Sequence, residues 1–358
     1  GGWCFYNDKF AEDTQEKKHR LEKPRFVDHG EVTKTVFSEN AKILEINSKT
    51  GLYPLYVAYS FYKQRMEGMS DDDWTPEECQ YFWNEVIRDN VYVICKTPMA
   101  KSITRRTLCG YSDVNCNAHY FDDLVNMLKN KSEQFKKRVL KGSYWKKDVK
   151  KMKFDAVVGN PPYQEETGGS SRQATPIYNL FVEEAKMLNP RFISMIMPSR
   201  WFAGGMKTLD EFRDEMIHDK RIVSIKDFVN AKDCFPTSSI SGGVCFFLFD
   251  EMYSGNCAFT NVFNGVESTK IRPLDEFDTL IRYNDAVDIV HKLHYHNFIP
   301  FDNIISPLMP FGLPTNYRGR SKPSPKDNLN LYASNGLTYI SSNEIIKGSE
   351  YIGKYKVL

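Results

Sequence analysis

Short runs of consecutive apolar residues alternate along this chain with longer segments whose apolar positions recur at helical spacing. The first buried-strand signal is Ala41-Lys42-Ile43-Leu44-Glu45-Ile46. A turn-like stretch, Asn47-Ser48-Lys49-Thr50-Gly51, follows it, and Leu55 to Tyr62 suits a buried helix. After a polar insert with Asp71-Asp72-Asp73, the pattern predicts a helix over 76–88 and a strand at Val91-Tyr92-Val93-Ile94-Cys95. A helix is expected from Ala100 to Leu108, a short strand near Ala118–Phe121 ending at Asp122-Asp123, and a helix beginning at Leu124. A strong strand follows at Phe154–Gly159, then a helix over Ile177–Leu188 and a strand over Phe192–Met197. Repeated alternation of strands and helices implies an α/β fold, a Rossmann-like parallel sheet with helices on both faces. Gly243–Phe249 and Cys257–Val262 flank a glycine-containing turn and read as an antiparallel hairpin that closes the sheet.

Residues 283–294 read as one more helix. Beyond about 300, Pro307, Pro310, Gly312, Pro314 and Gly319 interrupt the pattern, and a second domain is expected there. Charge is dense over 7–25, which reads as a solvated lead-in. The chain therefore divides into a lead-in over 1–40, an α/β domain over 41–298 and the beginning of another domain over 299–358. Both ends read as cut from a longer polypeptide.

Composition narrows the class. Apolar residues make up 41% of the 358 and charged residues 26%, enough for a real core. The formal net charge is only +2, so any surface for a polyanion must be local. No apolar run reaches the length of a membrane span and no signal-peptide pattern opens the chain, so it reads as soluble and intracellular. Eight cysteines, at 4, 79, 95, 109, 116, 234, 245 and 257, show no CxxC spacing, and they read as reduced thiols rather than a zinc site or disulfide framework. The histidines also lack metal-like spacing. His291, His294 and His296 fall near a helix end and suit surface or capping roles.

The segment richest in chemistry is Phe154-Asp155-Ala156-Val157-Val158-Gly159-Asn160-Pro161-Pro162-Tyr163. In open α/β sheets, ligands bind where strands deliver their carboxyl ends. A buried strand here runs straight into Asn160-Pro161-Pro162-Tyr163. The two prolines stiffen the loop and remove two N–H donors. Carbonyls and the Asn160 amide oxygen remain as acceptors beside the Tyr163 ring. Such a set suits a planar base with an exocyclic amine. That amine is a poor nucleophile while its lone pair is delocalised into the ring. Accepting its two N–H groups at Asn160 and the Pro161 carbonyl favours a pyramidal nitrogen that can attack a methyl sulfonium. Tyr163 would stack on the base, an interaction of about 1–3 kcal/mol. An ordinary strand-ending turn is the alternative reading of the same four residues.

These residues resemble motif IV of amino-group DNA methyltransferases, especially the adenine-N6 type found in Eco57I-like enzymes and Type I modification subunits of restriction–modification systems. The resemblance spans roughly 40–300, with the motifs in the gamma order. It implies a fold that binds S-adenosyl-L-methionine (SAM), with 41–298 as catalytic domain and 299–358 as the start of a target-recognition domain. It implies Asn160, Pro161, Pro162 and Tyr163 as the catalytic loop. Phe235, followed by Pro236 and later by Ser241-Gly242-Gly243-Val244, resembles motif VIII and is the candidate second aromatic against the base. Leu44–Gly51 occupies the place of motif I, so Glu45, Asn47 and Gly51 are candidate SAM contacts together with Asn160. Asp122, or Asp123, stands at the motif III aspartate. Two positions depart from the family pattern. Lys49 replaces a small residue in motif I, and Lys96 follows the second strand where an acidic residue usually holds the ribose.

Double-stranded DNA is the implied partner, and a nuclease or specificity domain in the same polypeptide or complex is a further one. An enzyme acting on such DNA must extrude its base. Arg172 and Arg200, in loops after catalytic-edge strands, are candidate phosphate contacts. Gly168–Ser171 reads as a loop that could order on DNA or as plain linker. The stretch 129–153, with eleven Lys/Arg against two acidic residues, is either a second phosphate surface or a solvated helix face. Three readings stay open: site-specific adenine-N6 methylation of DNA, methylation of a protein glutamine or of RNA by the same pocket, and a DNA-binding or assembly subunit with a decayed SAM site.

Overall fold

The computed structural model describes residues 2–6, 23–66, 74–165, 175–204, 207–237, 240–295, 309–314, 316–333 and 336–353. The chain forms two compact units, Gly1–Val287 and Asp288–Leu358.

In the first unit, β1 (Gly2–Tyr6) and β2 (Lys23–Val27) make a small antiparallel pair. A nine-stranded sheet then carries the fold, in the order β11-β10-β8-β9-β7-β6-β3-β4-β5. Its members are β3 (Ile43–Ser48), β4 (Val91–Cys95), β5 (Asn117–Tyr120), β6 (Ala156–Gly159), β7 (Phe192–Pro198), β8 (Ile222–Phe228), β9 (Val244–Asp250), β10 (Cys257–Phe263) and β11 (Val266–Arg272). Strands β3 to β7 are mutually parallel. Every residue of β3 and β4 is buried, because both faces are covered by helices; β4 is an unbroken apolar run, whereas β3 buries Glu45, Asn47 and Ser48 beside its apolar residues.

One face carries α1 (Glu31–Val36), α2 (Leu52–Arg65), α3 (Pro76–Asp89) and α4 (Pro98–Cys109). Ala58, Phe61, Val86, Ile87 and Leu108 form a core there with Ile43, Val91, Val93 and Ala118. Thr75 and Thr97 cap α3 and α4, and each is followed by a proline at the first helical position, where a missing N–H costs nothing. On the other face, α5 (Leu124–Asn130), α6 (Ser132–Val139) and α7 (Tyr178–Met187) cover Leu44, Ile46, Tyr92, Ile94 and Val157. The lysine-rich stretch belongs to this layer. Phe135, Val139 and Trp145 are buried in it, while Lys137, Arg138, Lys141 and Lys146 point to solvent. Helix α8 (Lys207–His218) follows β7.

The chain moves outward from β3 to β5, then returns to lay β6 against the other side of β3. The reversal creates a switch point between the carboxyl ends of β3 and β6, the place where open α/β sheets bind ligands. The two strands approach closely: a Cβ on Gly159 would stand 2.8 Å from the Ile46 carbonyl oxygen.

One expectation requires correction. The segments 243–249 and 257–262 do not pair with each other. Strand β9 inserts between β7 and β8, antiparallel to both, so neither of its edges is left for β10. The closing antiparallel hairpin is instead β10–β11, with β10 also parallel to β8. It turns at Asn264-Gly265, both at positive φ (52° and 80°), as a two-residue hairpin turn requires.

In the second unit, β12 (Leu329–Ala333) and β13 (Gly336–Ile340) form a hairpin, and Arg320 is paired with Asp327 and Glu344. Helix α9 spans Asn284–Tyr295. Among the described residues, no helix is long and apolar enough to cross a membrane.

Candidate active site

Strand β6 ends at Gly159 and releases Asn160-Pro161-Pro162-Tyr163 at the switch point. The loop leaving β3 lies beside it. Asn47, at the register shift near the end of β3, stands at φ 77°, a left-handed conformation that asparagine tolerates better than most residues. Its buried side chain donates from Nδ2 to the Asn160 main-chain carbonyl at 2.9 Å. The bond fixes the end of β3 to the loop that begins at Asn160. Because it uses the main-chain oxygen, the Asn160 side chain and the Pro161 carbonyl are not engaged by it.

A cavity of about 230 Å³ opens against these loops, lined by Lys49, Asn160, Pro161, Pro162, Tyr163, Phe235 and Ile240. Asn160, Tyr163 and Phe235, from segments far apart in the sequence, thus share one pocket. Burial pushes the Tyr163 hydroxyl up, so the ring presents a neutral phenol. Tyr53, at the start of α2, adds a residue the sequence did not single out. Its hydroxyl is pushed up to about 12, first by burial and then by Cys234 and Glu45, while a hydrogen bond with the Asn160 side chain opposes the shift. Asn160 is therefore gripped at its carbonyl by Asn47 and approached at its amide by Tyr53.

The wall carrying Phe235 and Ile240 is anchored from behind. Asp227 on β8 is fully buried and accepts from the Ser199 hydroxyl at 2.6 Å and from Arg282 Nη2 at 2.8 Å. Ser199 follows β7, and its N–H donates to the Gly243 carbonyl. Gly243, at φ 83°, is pressed so closely onto β8 that a Cβ would stand 2.3 Å from the Phe228 oxygen. The network ties the exit of β7 to the segment that connects Phe235 to β9.

The remaining candidates lie elsewhere. Glu45 is buried on β3. Its Oε2 has no hydrogen-bond partner, and burial raises its carboxyl to about 8, with a hydrogen bond from Ser48 opposing. Gly51 begins α2 at φ 79° and packs on α4, where an added Cβ would stand 2.9 Å from Thr104 Cα. Asp122 is exposed and lines a different cavity, of about 400 Å³, together with Lys101, His119, Phe121, Lys131 and Arg138. Asp123 caps α5 by accepting from the Asn126 N–H. Arg200 is exposed in the short 3-10 turn Ser199–Phe202 after β7. Arg172 and Gly168–Ser171 lie outside the described residues, as does His296. The cysteines whose side chains are described are free, buried or half-buried thiols. No group of three or more His, Cys, Asp or Glu that could hold a metal ion occurs among the described residues.

Residues 89–235 match a family model described as Eco57I restriction-modification methylase. A curated relative from Mycoplasma pneumoniae (strain ATCC 29342 / M129 / Subtype 1), described as an uncharacterized adenine-specific methylase, is 30% identical over 164 residues. That alignment covers 44% of this chain and 37% of the relative, so the chain spans well under half of that protein. Among solved structures, the methyltransferase subunit of a type I restriction–modification system from Streptococcus thermophilus aligns with a TM-score of 0.38 and 9% identity, over 75% of this chain and 51% of the other. The type IIL restriction–modification enzyme MmeI, solved with DNA, aligns with a TM-score of 0.43 and 12% identity, over 65% and 34%. The family model and the curated relative name the same kind of enzyme as the Asn160-Pro161-Pro162-Tyr163 resemblance: a restriction–modification methylase, adenine-specific in the relative's description.

Proposed function

We propose that this chain, similar over residues 89–235 to the Eco57I restriction–modification methylases, transfers a methyl group from SAM to the N6 amine of an adenine extruded from duplex DNA. The observation that carries this reading is the shared pocket: a stiff polar loop, an aromatic ring on it and a second aromatic from a distant segment enclose one cavity. Asn160, through its side-chain oxygen, and Pro161, through its carbonyl, accept the two amine N–H groups. Accepting both localises the nitrogen lone pair. Tyr163 and Phe235 hold the two faces of the base and keep water from the amine. Extrusion costs a few kcal/mol, which stacking and phosphate contacts must offset. Arg200, and Arg172 beyond the described residues, are the proposed phosphate contacts.

The switch point fits the cofactor at one clear feature: the unpartnered Glu45 oxygen, buried on the strand that leads into the 49–51 turn. Glu45, Asn47, Gly51 and Asn160 would hold SAM there, and Asp122 would join them from a separate cavity. When bound, it supplies an electrophilic methyl group on a sulfonium.

The test is sequencing of methylated adenines in DNA from cells that express the full-length parent protein or its Asn160→Ala variant. We expect one methylated motif in the first and none in the second. A mark that survives the substitution removes Asn160 from this role.

A second reading has its own observation. Gly51 is taken up by packing on Thr104, and Thr107 donates to the Thr50 carbonyl at 2.7 Å, so the loop after β3 is tied to α4. A chain with its cofactor loop closed in this way would serve as a DNA-binding or assembly subunit. Calorimetry with SAM separates the two, because the scaffold reading requires no binding even at millimolar cofactor.

A further inference from the structure

Strand β6 delivers Asn160 at its carboxyl end, and its amino end carries a different feature. The segment 141–153 leads into β6. Asp155 and Lys42 tie the starts of β6 and β3 together there: the Lys42 N–H donates to the Asp155 carboxylate and the Asp155 N–H to the Lys42 carbonyl, both at 2.8 Å. The segment therefore stands at the opposite edge of the sheet from the candidate pocket. It is a compact lobe. Trp145 is 1% exposed, and its indole donates to the Val139 carbonyl at 2.7 Å. The Met152 N–H donates to the Leu140 carbonyl at 2.8 Å and the Lys147 N–H to the Gly142 carbonyl at 3.0 Å. Lys141 and Lys151 pair as an antiparallel bridge. Gly142 lies so close to Val149 that a Cβ would stand 1.8 Å from the Val149 oxygen.

On this fixed backbone the side chains carry one sign of charge. The lobe holds six lysines and a single carboxylate, Asp148. Lys147 turns back to the Arg88 carbonyl and the Asp89 carboxylate. Lys141, Lys146, Lys150, Lys151 and Lys153 are exposed, and none of them is in an ion pair among the described residues. The rest of the same edge is different. Where β7 and β8 begin and β9 ends, Arg191 pairs with Asp250, and Arg221 pairs with Asp219 and Glu251. The wider stretch 129–153 has eleven basic residues against two acidic ones in a chain whose net charge is only +2, so the remainder of the chain is net acidic. Positive charge is thus gathered at one place instead of being spread and neutralised.

We propose that the 141–153 lobe is a nucleic-acid contact of its own, which holds the phosphate backbone without reading sequence, at the edge of the sheet away from the pocket. Unpaired ammoniums gathered on a rigid support repel one another, and a run of phosphates relieves that repulsion while releasing its own counterions. Lysine meets phosphate as a point charge on a flexible stem, so it fixes position and not base identity. A protein partner suits the lobe less well. Protein interfaces centre on apolar and aromatic side chains and are poor in lysine, whereas the lobe's one exposed large apolar side chain is Val149. A membrane surface suits it less well for the same reason, since stable binding there adds buried apolar area to the attraction of charge. Because the lobe and the pocket lie at opposite edges, the lobe adds a second hold on nucleic acid and is not part of the first. The inference does not depend on methyl transfer.

The test uses the whole chain and a fluorescent DNA duplex of arbitrary sequence, without SAM, with binding read by anisotropy over a range of salt concentrations. In a Lys150→Glu/Lys151→Glu/Lys153→Glu variant we expect binding to weaken by about tenfold or more and the slope of log affinity against log salt to shrink by about 2–3, one contact for each lysine removed. All three side chains are exposed, so an unchanged melting temperature will show that the variant folds, and the Lys→Gln version of the same triple gives a milder loss in the same direction. Arg200→Glu, at the pocket edge, should weaken binding by a factor that multiplies with the triple, as separate sites require. Three results would overturn the proposal: a salt slope that the triple leaves unchanged, a loss already complete in Arg200→Glu alone, or a triple that loses binding to poly-glutamate or to phosphatidylserine vesicles while keeping the duplex.

Discussion

The loops leaving β6 and β3 lie side by side, tied where Asn47, near the end of β3, donates to the Asn160 carbonyl, but they are held in different ways. The β6 loop is stiffened from within by Pro161 and Pro162 and faces a cavity with aromatic walls. The β3 loop is held from outside. Its glycine is packed on Thr104, its Thr50 carbonyl is bonded by Thr107, and Lys49 reaches into the neighbouring pocket. On the proposed reading, the half that would grip the base depends on rigid geometry, whereas the half that would hold the cofactor has room to vary in charge. Substitutions on the two sides should therefore fail in different ways.

The largest effect should come from the anchor behind the pocket wall. Arg282→Ala leaves the Asp227 carboxylate fully buried with its ion-pair partner gone. Removing one member of a buried pair typically costs about 3–5 kcal/mol. We expect a urea midpoint lowered accordingly and, in the surviving folded fraction, a weaker KM for DNA with SAM affinity retained. SAM affinity that fell in parallel would mean the anchor serves the whole sheet rather than the base-gripping half.

Glu45 gives an effect of a few kcal/mol that depends on pH. Its carboxyl is raised from 4.5 to about 8 by burial, so between these values the folded state holds a proton that the unfolded state has released. Stability from this group is complete below about 4.5 and is lost as pH climbs toward 8. Glu45→Gln should match the parent near pH 4.5 and become progressively more stable than it above that. Melting temperatures from pH 5 to 9 will read this out, and parallel curves would show that Glu45 is not neutral when folded.

The Asn160–Tyr163 loop was far more legible in the sequence than its support. Strand β4 is buried on both faces and announces itself as an unbroken apolar run, the strand into Asn160 does the same, and β3 shows through Ile43, Leu44 and Ile46 although Glu45 interrupts them. Strand β8, Ile-Val-Ser-Ile-Lys-Asp-Phe, gives no such signal, because Asp227 in its buried row is masked by Arg282, 55 residues away in sequence. The place of β9 was hidden for a related reason. Strand order is decided by which edges are free after long connections close, and no local pattern carries that. Phe235 was reached only through the family resemblance. Tyr53 had no signal at all, since an aromatic at a helix start is ordinary until its hydroxyl is found beside Asn160.

Tyr163→Ala tests the stacking wall directly. Loss of one base–aromatic stack should cost about 1–3 kcal/mol in kcat/KM for DNA. Tyr163→Phe should restore most of it, because burial already holds the phenol neutral and the ring supplies the stacking. If Phe fails to rescue, the hydroxyl rather than the ring is what the pocket needs.

The smallest effect should come from Lys49, and it sharpens the contrast most. Lys49 is exposed at the mouth of the pocket, one residue beyond β3. A sulfonium at the switch point would meet its ammonium as a like charge. Two unit charges 4 Å apart in water repel by about 1 kcal/mol, and the flexible, solvated lysine stem sets this as an upper limit. Lys49→Ala should therefore tighten SAM by no more than about fivefold and leave the neutral demethylated product unchanged, since that product carries no sulfonium charge. Calorimetry with both compounds distinguishes charge from shape. Equal tightening of the two would mean that Lys49 blocks the site by bulk, and weaker binding of both would mean that its ammonium holds the cofactor's carboxylate.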